Sequence, residues 1–283
     1  MDKAGYNHHM ESLKLAWYRA LTRFAFWLTR QPAPIKNGLI WLCLKLYDVH
    51  LHEAVRENPE DYATFNDFFT RALKAQVRPV ATTDLVSPVD GRVSQFGAVH
   101  HHSLIQAKGK TFSTQALLGP GQWTNTDFQA FTTIYLSPRD YHRIHMPRAG
   151  QLLGMTYIPG DLWSVSPETV ATVDQIYARN ERLVCYFTSD QRVFVVVLVG
   201  ATNVAAMEVV WEQGLIQSQD GQPRHYDYQD QSIQLVKGEE LGRFNMGSTV
   251  ILLFPQQVVW EPDFRVEAPV KMGQAMAELE RMT

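Results

Sequence analysis

A short Gly-Ser-Thr step at residues 247–249 stands directly before a strongly apolar run, residues 250–254. The run, Val-Ile-Leu-Leu-Phe, is typical of a buried β-strand. Gly247 allows backbone angles that other residues resist, and it leaves its own carbonyl carbon uncovered by a side chain. The carbonyl that directly precedes Ser248 is therefore sterically open. For these residues taken alone, an ordinary turn followed by a strand is the more common explanation.

Two histidines, His142 and His145, lie three residues apart in an arginine-rich segment. No third ligand follows at a recognisable spacing, so a metal site is not predicted. Imidazole exchanges protons near neutral pH, which makes acid or base chemistry the other interpretation. Asp90 lies in a Pro-x-Asp-Gly segment, which taken alone is typical of a simple turn.

The composition is that of a folded protein, with 45% hydrophobic and 19% charged residues. The net charge of −3 argues against a general nucleic-acid binder. Cys43 and Cys185 are far apart and form no CxxC pair, which indicates two buried thiols in a reducing compartment. We find no secretory signal, and no uncharged run reaches the roughly 20 residues that a spanning helix needs.

The N-terminal segments have helical spacing. Residues 10–30 gather Trp17, Phe24 and Trp27 on one face, and a second apolar helix is predicted over residues 38–51. The first 50 residues carry seven Lys or Arg against three Asp or Glu. Two core-packed helices and an interfacial segment, with aromatic residues in lipid and cations on anionic headgroups, explain this pattern equally well.

The remaining chain divides into one further helix and a long β-rich part. Residues 60–75 predict a short helix with Asp61 or Thr64 as its N-cap. From about residue 80, short segments rich in Val, Ile and Tyr alternate with turn residues. The sequence therefore predicts an α+β protein: a helical region at residues 1–75, then a largely antiparallel domain of barrel or sandwich type at residues 76–283.

Taken together and in order, several segments resemble the bacterial phosphatidylserine decarboxylases. They are "SPVDG", "YLSPRDYHRIHMP", "YIPGDLWSV", "ARNERLVCYF", "LVGATNVA", "KGEELGRFNMGSTVILLF" and "VKMGQAMA". The resemblance covers essentially the whole chain. One departure is Met246, where the family usually has Leu. Because Met is apolar and close to Leu in volume, we expect processing to survive.

The resemblance implies that the chain cuts itself between Gly247 and Ser248. The products would be a long chain, 1–247, and a short chain, 248–283. Ser248 Oγ would attack the Gly247 carbonyl, and the serine would become a pyruvoyl group, a covalent cofactor made from the chain itself. This group would form a Schiff base with phosphatidylserine and accept the electrons left by carbon dioxide, giving phosphatidylethanolamine.

The same resemblance assigns roles to the remaining site residues. His145 is the expected base that activates Ser248, and Asp90 orients it in a Ser-His-Asp arrangement. His142 is expected to position the substrate or to deliver a proton during decarboxylation.

A diacyl lipid substrate favours the interfacial interpretation of the N-terminal helices, since the active site has to reach the bilayer. The expected partners are phosphatidylserine, an anionic membrane surface, and the long and short chains of one precursor. A homodimer is implied as well, with the enzyme peripheral on the cytoplasmic face of the bacterial cell membrane.

Three other interpretations stay open. A pyruvoyl-dependent decarboxylase of a soluble amino acid would use the same chemistry without needing the first 50 residues. A serine hydrolase would use Ser248 as a conventional nucleophile, but no GxSxG elbow is present and the apolar run after Ser248 predicts a strand instead of a helix. A membrane-binding module without enzyme activity would need the Gly-Ser-Thr step only as a turn.

Overall fold

The structure is a computed structural model that describes residues 24–201, 207–216, 220–245 and 248–280. Residues 24–28 are helical, and single turns of 3-10 helix occur at Leu51–Glu53, Pro59–Asp61, Ala75–Val77 and Gln229–Gln231. The α-helices that the structure bounds are α1 Ile35–Leu46, α2 Phe65–Phe69, α3 Thr114–Leu118, α4 Pro167–Thr172 and α5 Ile176–Arg179.

The strands make up most of the regular structure after residue 84. They are β1 Leu85–Val86, β2 Gly91–Ala98, β3 Ser103–Ala107, β4 Lys110–Ser113, β5 Ala130–Leu136, β6 Arg143–His145, β7 Gly150–Ile158, β8 Arg182–Ser189, β9 Arg192–Val199, β10 Met207–Val209, β11 Arg224–Asp227, β12 Gln234–Leu235, β13 Glu240–Phe244, β14 Ser248–Phe254, β15 Val258–Trp260, β16 Pro269–Val270 and β17 Ala275–Leu279.

The strands form one large sheet and three small ones. The large sheet has the order β11-β7-β8-β9-β14-β5-β2-β16, with β12 paired to β7. The small sheets are β10-β13-β6, β1-β17-β15 and β3-β4. Every pairing between these strands is antiparallel. The α+β prediction is confirmed, and no sheet in the described residues closes into a barrel.

The apolar run after the Gly-Ser-Thr step forms a buried strand, as predicted, and this strand lies in the middle of the large sheet. In β14, Val250, Leu252 and Phe254 pack into one hydrophobic cluster, and Ile251 and Leu253 pack into another. Successive side chains of a strand point to opposite faces of the sheet. Both faces of the sheet are therefore buried, which explains why the run has no polar alternation.

The helical predictions are confirmed in part. α1 covers most of the second predicted helix, whereas residues 10–23 of the first lie outside the described part of the chain. The helix predicted over residues 60–75 is shorter in the structure. Only α2 is α-helical, with Thr64 as its N-cap and Thr70 as its C-cap. The Oγ1 of Thr64 accepts a hydrogen bond from the backbone N–H of Asp67 at 3.1 Å, as expected of an N-cap.

α1 and α2 share a hydrophobic cluster that contains Ile40, Tyr62, Phe65 and Phe68. The division into regions 1–75 and 76–283 stays a prediction. Cys43 and Cys185 are both buried and free, as expected. Within the described residues we find no helix with the length and apolar character needed to cross a bilayer.

Candidate active site

The site forms where the chain passes from a small sheet to the large one. β13 ends at Phe244, and the chain enters β14 at Ser248, whose backbone is paired with Leu136 of β5. Met246 and Gly247, and with them the predicted scissile bond, lie outside the described residues. The described strands on either side, β13 and β14, belong to different sheets.

Asp90 lies at the same end of the large sheet as Ser248. It directly precedes β2, where Arg92 is paired with Tyr135, and Tyr135 is also paired with Thr249. Neighbouring strands lie about 4.8 Å apart, so the backbones of β2 and β14 are about 10 Å apart at this level. Two of the predicted site residues are thus brought to one edge by register alone.

The Asp90 carboxylate is held by two chain segments. Arg78 donates from Nε to Oδ1 at 2.9 Å and from Nη2 to Oδ2 at 2.6 Å. The backbone N–H of Met272 donates to Oδ1 at 2.8 Å. Arg78 also donates to Glu53 at 2.6 Å, and although burial lowers its pKa, hydrogen bonds to the two carboxylates raise the pKa above the ordinary value. Asp90 is therefore fixed and paired.

Both ring nitrogens of His145 have partners. Nδ1 lies 2.8 Å from the carbonyl oxygen of Gly238, and Nε2 lies 3.0 Å from the hydroxyl of Tyr141. A carbonyl can only accept, so Nδ1 carries the proton and Nε2 accepts from the tyrosine. Burial lowers the pKa of His145, which favours the neutral ring with its lone pair at Nε2.

Asp90 and His145 are close but do not form a hydrogen bond with each other in the described residues. The backbone N–H of His145 donates to the carbonyl of Pro88 at 2.8 Å, which holds the histidine beside the segment that carries Asp90. The Asp90 charge also raises the His145 pKa slightly against the larger effect of burial. Their shared role in a triad stays a prediction.

His142 is fully buried and lies beside the chain that leads to the predicted scissile bond. Its carbonyl accepts from the backbone N–H of Phe244 at 3.0 Å, whereas His145 is paired with Glu240 at the far end of β13. Nδ1 of His142 donates to the carbonyl of Asp140 at 2.8 Å. Nε2 is buried with no hydrogen-bond partner among the described residues.

The surroundings of His142 keep its ring uncharged. The ring centroid lies 3.9 Å from that of Phe69. Burial, with a smaller contribution from the charge of Arg71, lowers the pKa of His142 to about 3. His142 is therefore neutral over the physiological range, with a lone pair at Nε2.

This low pKa predicts that acid destabilises the fold through His142. An unfolded histidine takes up a proton below about pH 6.5 and the folded one does not, so stability falls as the pH drops from 6.5 toward 3. Between pH 7 and pH 5 the free energy of unfolding falls by about 2 kcal/mol through this histidine.

Urea unfolding at both pH values measures this change. The protein carries Ser248→Ala, so that a single uncleaved chain unfolds. His142→Gln in that background should lose less between the two pH values. An equal loss with and without His142 would contradict the assignment.

Sequence reasoning missed several residues that organise the site. Asn245, the last described residue before the link, accepts from Nδ2 of Asn66 at 2.8 Å and donates to Glu208 at 2.9 Å. Arg78 and Tyr141 were missed as well. The four-residue spacing from Tyr141 to His145 was a usable signal, but nothing in the sequence pairs Asn66 with Asn245.

A cleft of about 500 Å³ opens at this edge. Asp90 and the segment from Ser137 to Tyr141 line it on the β side, and Tyr47 and His50 line it on the helical side. The N-terminal helical region thus forms one wall of the cleft beside the candidate site.

Comparison with known proteins supports one family. Residues 65–278 match the family model described as phosphatidylserine decarboxylase. The chain is 50% identical to the phosphatidylserine decarboxylase proenzyme of Chromobacterium violaceum, covering 93% of this chain and 95% of the relative. It is 46% identical to the protein of the same name from Variovorax paradoxus, covering 92% and 94%, and 45% identical to that from Nitrosococcus oceani, covering 92% and 88%.

Proposed function

The chain belongs to the phosphatidylserine decarboxylase family, and from this premise we propose that it is a carboxy-lyase that converts phosphatidylserine to phosphatidylethanolamine. One observation carries the proposal. Asp90 and the start of β14 lie at one edge of the large sheet beside a cleft, and the strand that leads toward β14 pairs with the segment that carries His142 and His145. The chain matches this family from residue 65 to 278. These residues are far apart in the sequence. If each lay only in a simple turn, the fold would have no reason to bring them together.

The chain first acts on itself. Ser248 Oγ attacks the carbonyl carbon of Gly247, the peptide C–N bond breaks, and an ester forms. Elimination across Cα–Cβ of residue 248 then releases the Gly247 carboxylate and leaves a dehydroalanine, which takes up water and loses ammonia to give the pyruvoyl group. The neutral Nε2 of His145 is the base in this proposal, with Asp90 beside it.

The described residues at the start of β14 suit such a group. The hydroxyl of Thr249 is buried without a partner in the described part of the chain, as is Nε2 of His142. The Thr249 hydroxyl is able to donate a hydrogen bond to a carbonyl oxygen formed at residue 248, whereas the neutral Nε2 of His142 is able only to accept one, for example from the substrate amine. Once formed, the group supplies an electrophilic carbonyl that takes up the electron pair left when carbon dioxide departs.

His142 moves a proton in the proposed reaction. Its Nδ1 is occupied by the Asp140 carbonyl, so Nε2 accepts a proton from the ammonium of the substrate and thereby frees a nucleophilic amine. The same nitrogen returns the proton to the substrate carbon after carbon dioxide has left. The low pKa makes the uptake the costly half of this cycle and the return the favourable half, because a buried imidazolium gives up its proton readily.

The N-terminal helical region is proposed to lie on an anionic membrane surface. Large apolar side chains are exposed there in unusual number, and Trp41 and Leu46 are 62% and 64% exposed. The cation of Lys45 lies over the Trp41 ring, 4.9 Å from its centroid, a combination suited to the headgroup region. The two free thiols fit the cytoplasmic face. A homodimer, implied by the resemblance, stays a prediction.

Membrane binding should weaken when this surface loses its apolar groups. Replacing Trp41 with alanine removes about 1.5 kcal/mol or more of burial in lipid, which corresponds to about tenfold weaker binding, and Leu46→Ala should act similarly. Co-sedimentation with phosphatidylglycerol-containing vesicles measures the change. Val236→Ala is the matched control, since Val236 is 65% exposed on the β-rich part. Equal losses in all three variants, or no loss at Trp41 and Leu46, would contradict the docking surface.

The activity itself is tested with carboxyl-labelled dihexanoyl phosphatidylserine. We expect labelled carbon dioxide and phosphatidylethanolamine in equal amounts, and a far lower kcat/KM for free serine. Decarboxylation of soluble amino acids with no turnover of the lipid would replace this function by the soluble-substrate alternative.

A further inference from the structure

Arg71 is a buried cation whose hydrogen bonds are largely unused. Its side chain lines the cleft beside Asp90, and the residue is only 4% exposed. Nη2 donates to the carbonyl oxygen of Arg139 at 3.1 Å. Nε and Nη1 are both buried and have no hydrogen-bond partner among the described residues. Buried donors without partners are rare in folded proteins and need an explanation.

The other cations of the cleft are paired with carboxylates. Four cations that line it have a carboxylate partner: Arg78 with Asp90 at 2.6 Å, Arg92 with Glu267 at 3.7 Å, Arg139 with Asp140 at 3.8 Å, and Lys271 with Glu53 at 3.6 Å. Within the described part of the chain, Arg71 is the lysine or arginine of the cleft that has no carboxylate within 4.0 Å. A buried charge without a counter-ion is unfavourable, so the site is suited to an anion that comes from outside the chain.

The segment that carries Arg71 is also attached to the catalytic histidine segment. Phe69 packs on the ring of His142, and Nε of Arg143 donates to the carbonyl of Thr70 at 2.9 Å. With the bond from Arg71 to the Arg139 carbonyl, contacts at three consecutive residues hold this segment against residues 139–143. An anion bound by Arg71 would therefore be held in a fixed relation to His142.

We propose that Arg71 binds the phosphodiester of the lipid headgroup, an inference that rests on the proposed function. A guanidinium and a phosphate match in charge and in donor geometry. The carboxylate of the substrate is the less suitable occupant. It leaves as neutral carbon dioxide, so an ion pair to it would stabilise the ground state more than the transition state. The phosphodiester keeps its charge throughout the reaction.

The test compares Arg71→Gln and Arg71→Lys with Arg92→Gln, which changes an exposed arginine of the same cleft. Self-cleavage is checked first by denaturing electrophoresis. For processed Arg71→Gln we expect kcat/KM for dihexanoyl phosphatidylserine to fall about 30-fold or more. Arg71→Lys should keep part of the activity with a raised KM, and Arg92→Gln should stay near wild type.

Two further readouts separate phosphate binding from a structural role. Glycerol 3-phosphate should inhibit the wild-type enzyme competitively, acetate should not, and the inhibition should weaken in both Arg71 variants. O-methyl-L-serine has the amine and carboxylate but no phosphate, so its slow turnover should be almost unaffected by Arg71→Gln. Equal losses for both substrates, or unchanged phosphate inhibition in Arg71→Lys, would overturn the proposal.

Failure of the Arg71 proposal can be distinguished from failure of the proposed function. In the second case the wild-type protein would not turn over the lipid at all. If neither Arg71 variant is processed, the wild-type enzyme decides the matter. Competitive inhibition by glycerol 3-phosphate supports the phosphodiester site. Equal inhibition by acetate, or none by either anion, overturns it.

Discussion

Replacing Ser248 with alanine is expected to leave one uncleaved polypeptide of 283 residues without decarboxylase activity. The variant lacks the Oγ that attacks the preceding carbonyl in the proposed self-cleavage, so we expect that neither the ester nor the ketone forms. The effect on activity is a loss to background, because the substrate amine then has no electrophile to react with. Denaturing electrophoresis and a carbonyl-specific hydrazide label measure both consequences in one sample.

The control for this variant is Ser189→Ala, which removes the same hydroxyl at the end of β8, away from Ser248. It should be cleaved as fast as the wild type. A cleaved and active Ser248→Ala chain would show that the electrophile comes from another residue. A Ser248→Ala chain that is cleaved but inactive would show that cleavage does not need the Ser248 hydroxyl, and it would reject the proposed acyl shift.

The second large effect is expected at His142. His142→Ala should be cleaved at the Gly-Ser step and yet decarboxylate phosphatidylserine about 10²- to 10⁴-fold more slowly, the usual contribution of a positioned acid or base. His142→Asn is the informative partner variant, since its amide can still donate to the Asp140 carbonyl while offering no basic nitrogen. Single-turnover carbon dioxide release on pre-cleaved protein measures the chemical step.

The strand register suggests an alternative in which His142, and not His145, is the base for self-cleavage. His142 lies opposite Phe244, closer along β13 to the predicted scissile bond than His145, which lies opposite Glu240. Loss of cleavage in His142→Ala, with cleavage retained in His145→Ala, would exchange the two proposed roles. Normal turnover by His142→Ala would remove it from the reaction.

The sequence predicted the parts of the fold that depend on local pattern. The run from Val250 to Phe254 could be recognised as a buried strand because its length, its β-branched residues and its missing charges all agree. Thr64 could be proposed as an N-cap because capping depends on residues only three positions apart. The extent of the helix in residues 60–75 was overestimated, since tertiary contacts at Thr70 and Arg71 take the chain away from helical geometry.

The candidate site was only partly predictable, because its hydrogen bonds join distant segments. Nothing local indicates that His145 bonds the Gly238 carbonyl, 93 residues away, or that Asp90 is held by Arg78. The pairing that brings β6 to β13 contains a register shift, and a period-two pattern does not encode such shifts. The sequence therefore indicated which residues are candidates for the site, whereas their hydrogen-bond partners could be identified only from the structure.

The most direct test of the account is the intact mass of the purified wild-type protein under denaturing conditions. We predict two chains, 1–247 and 248–283, with the short one lighter than its unmodified sequence by one ammonia. Reduction with borohydride should then add the mass of two hydrogens at its first residue. An active lipid decarboxylase that runs as one 283-residue chain, or whose short chain begins with a free serine amine, would contradict the central claim.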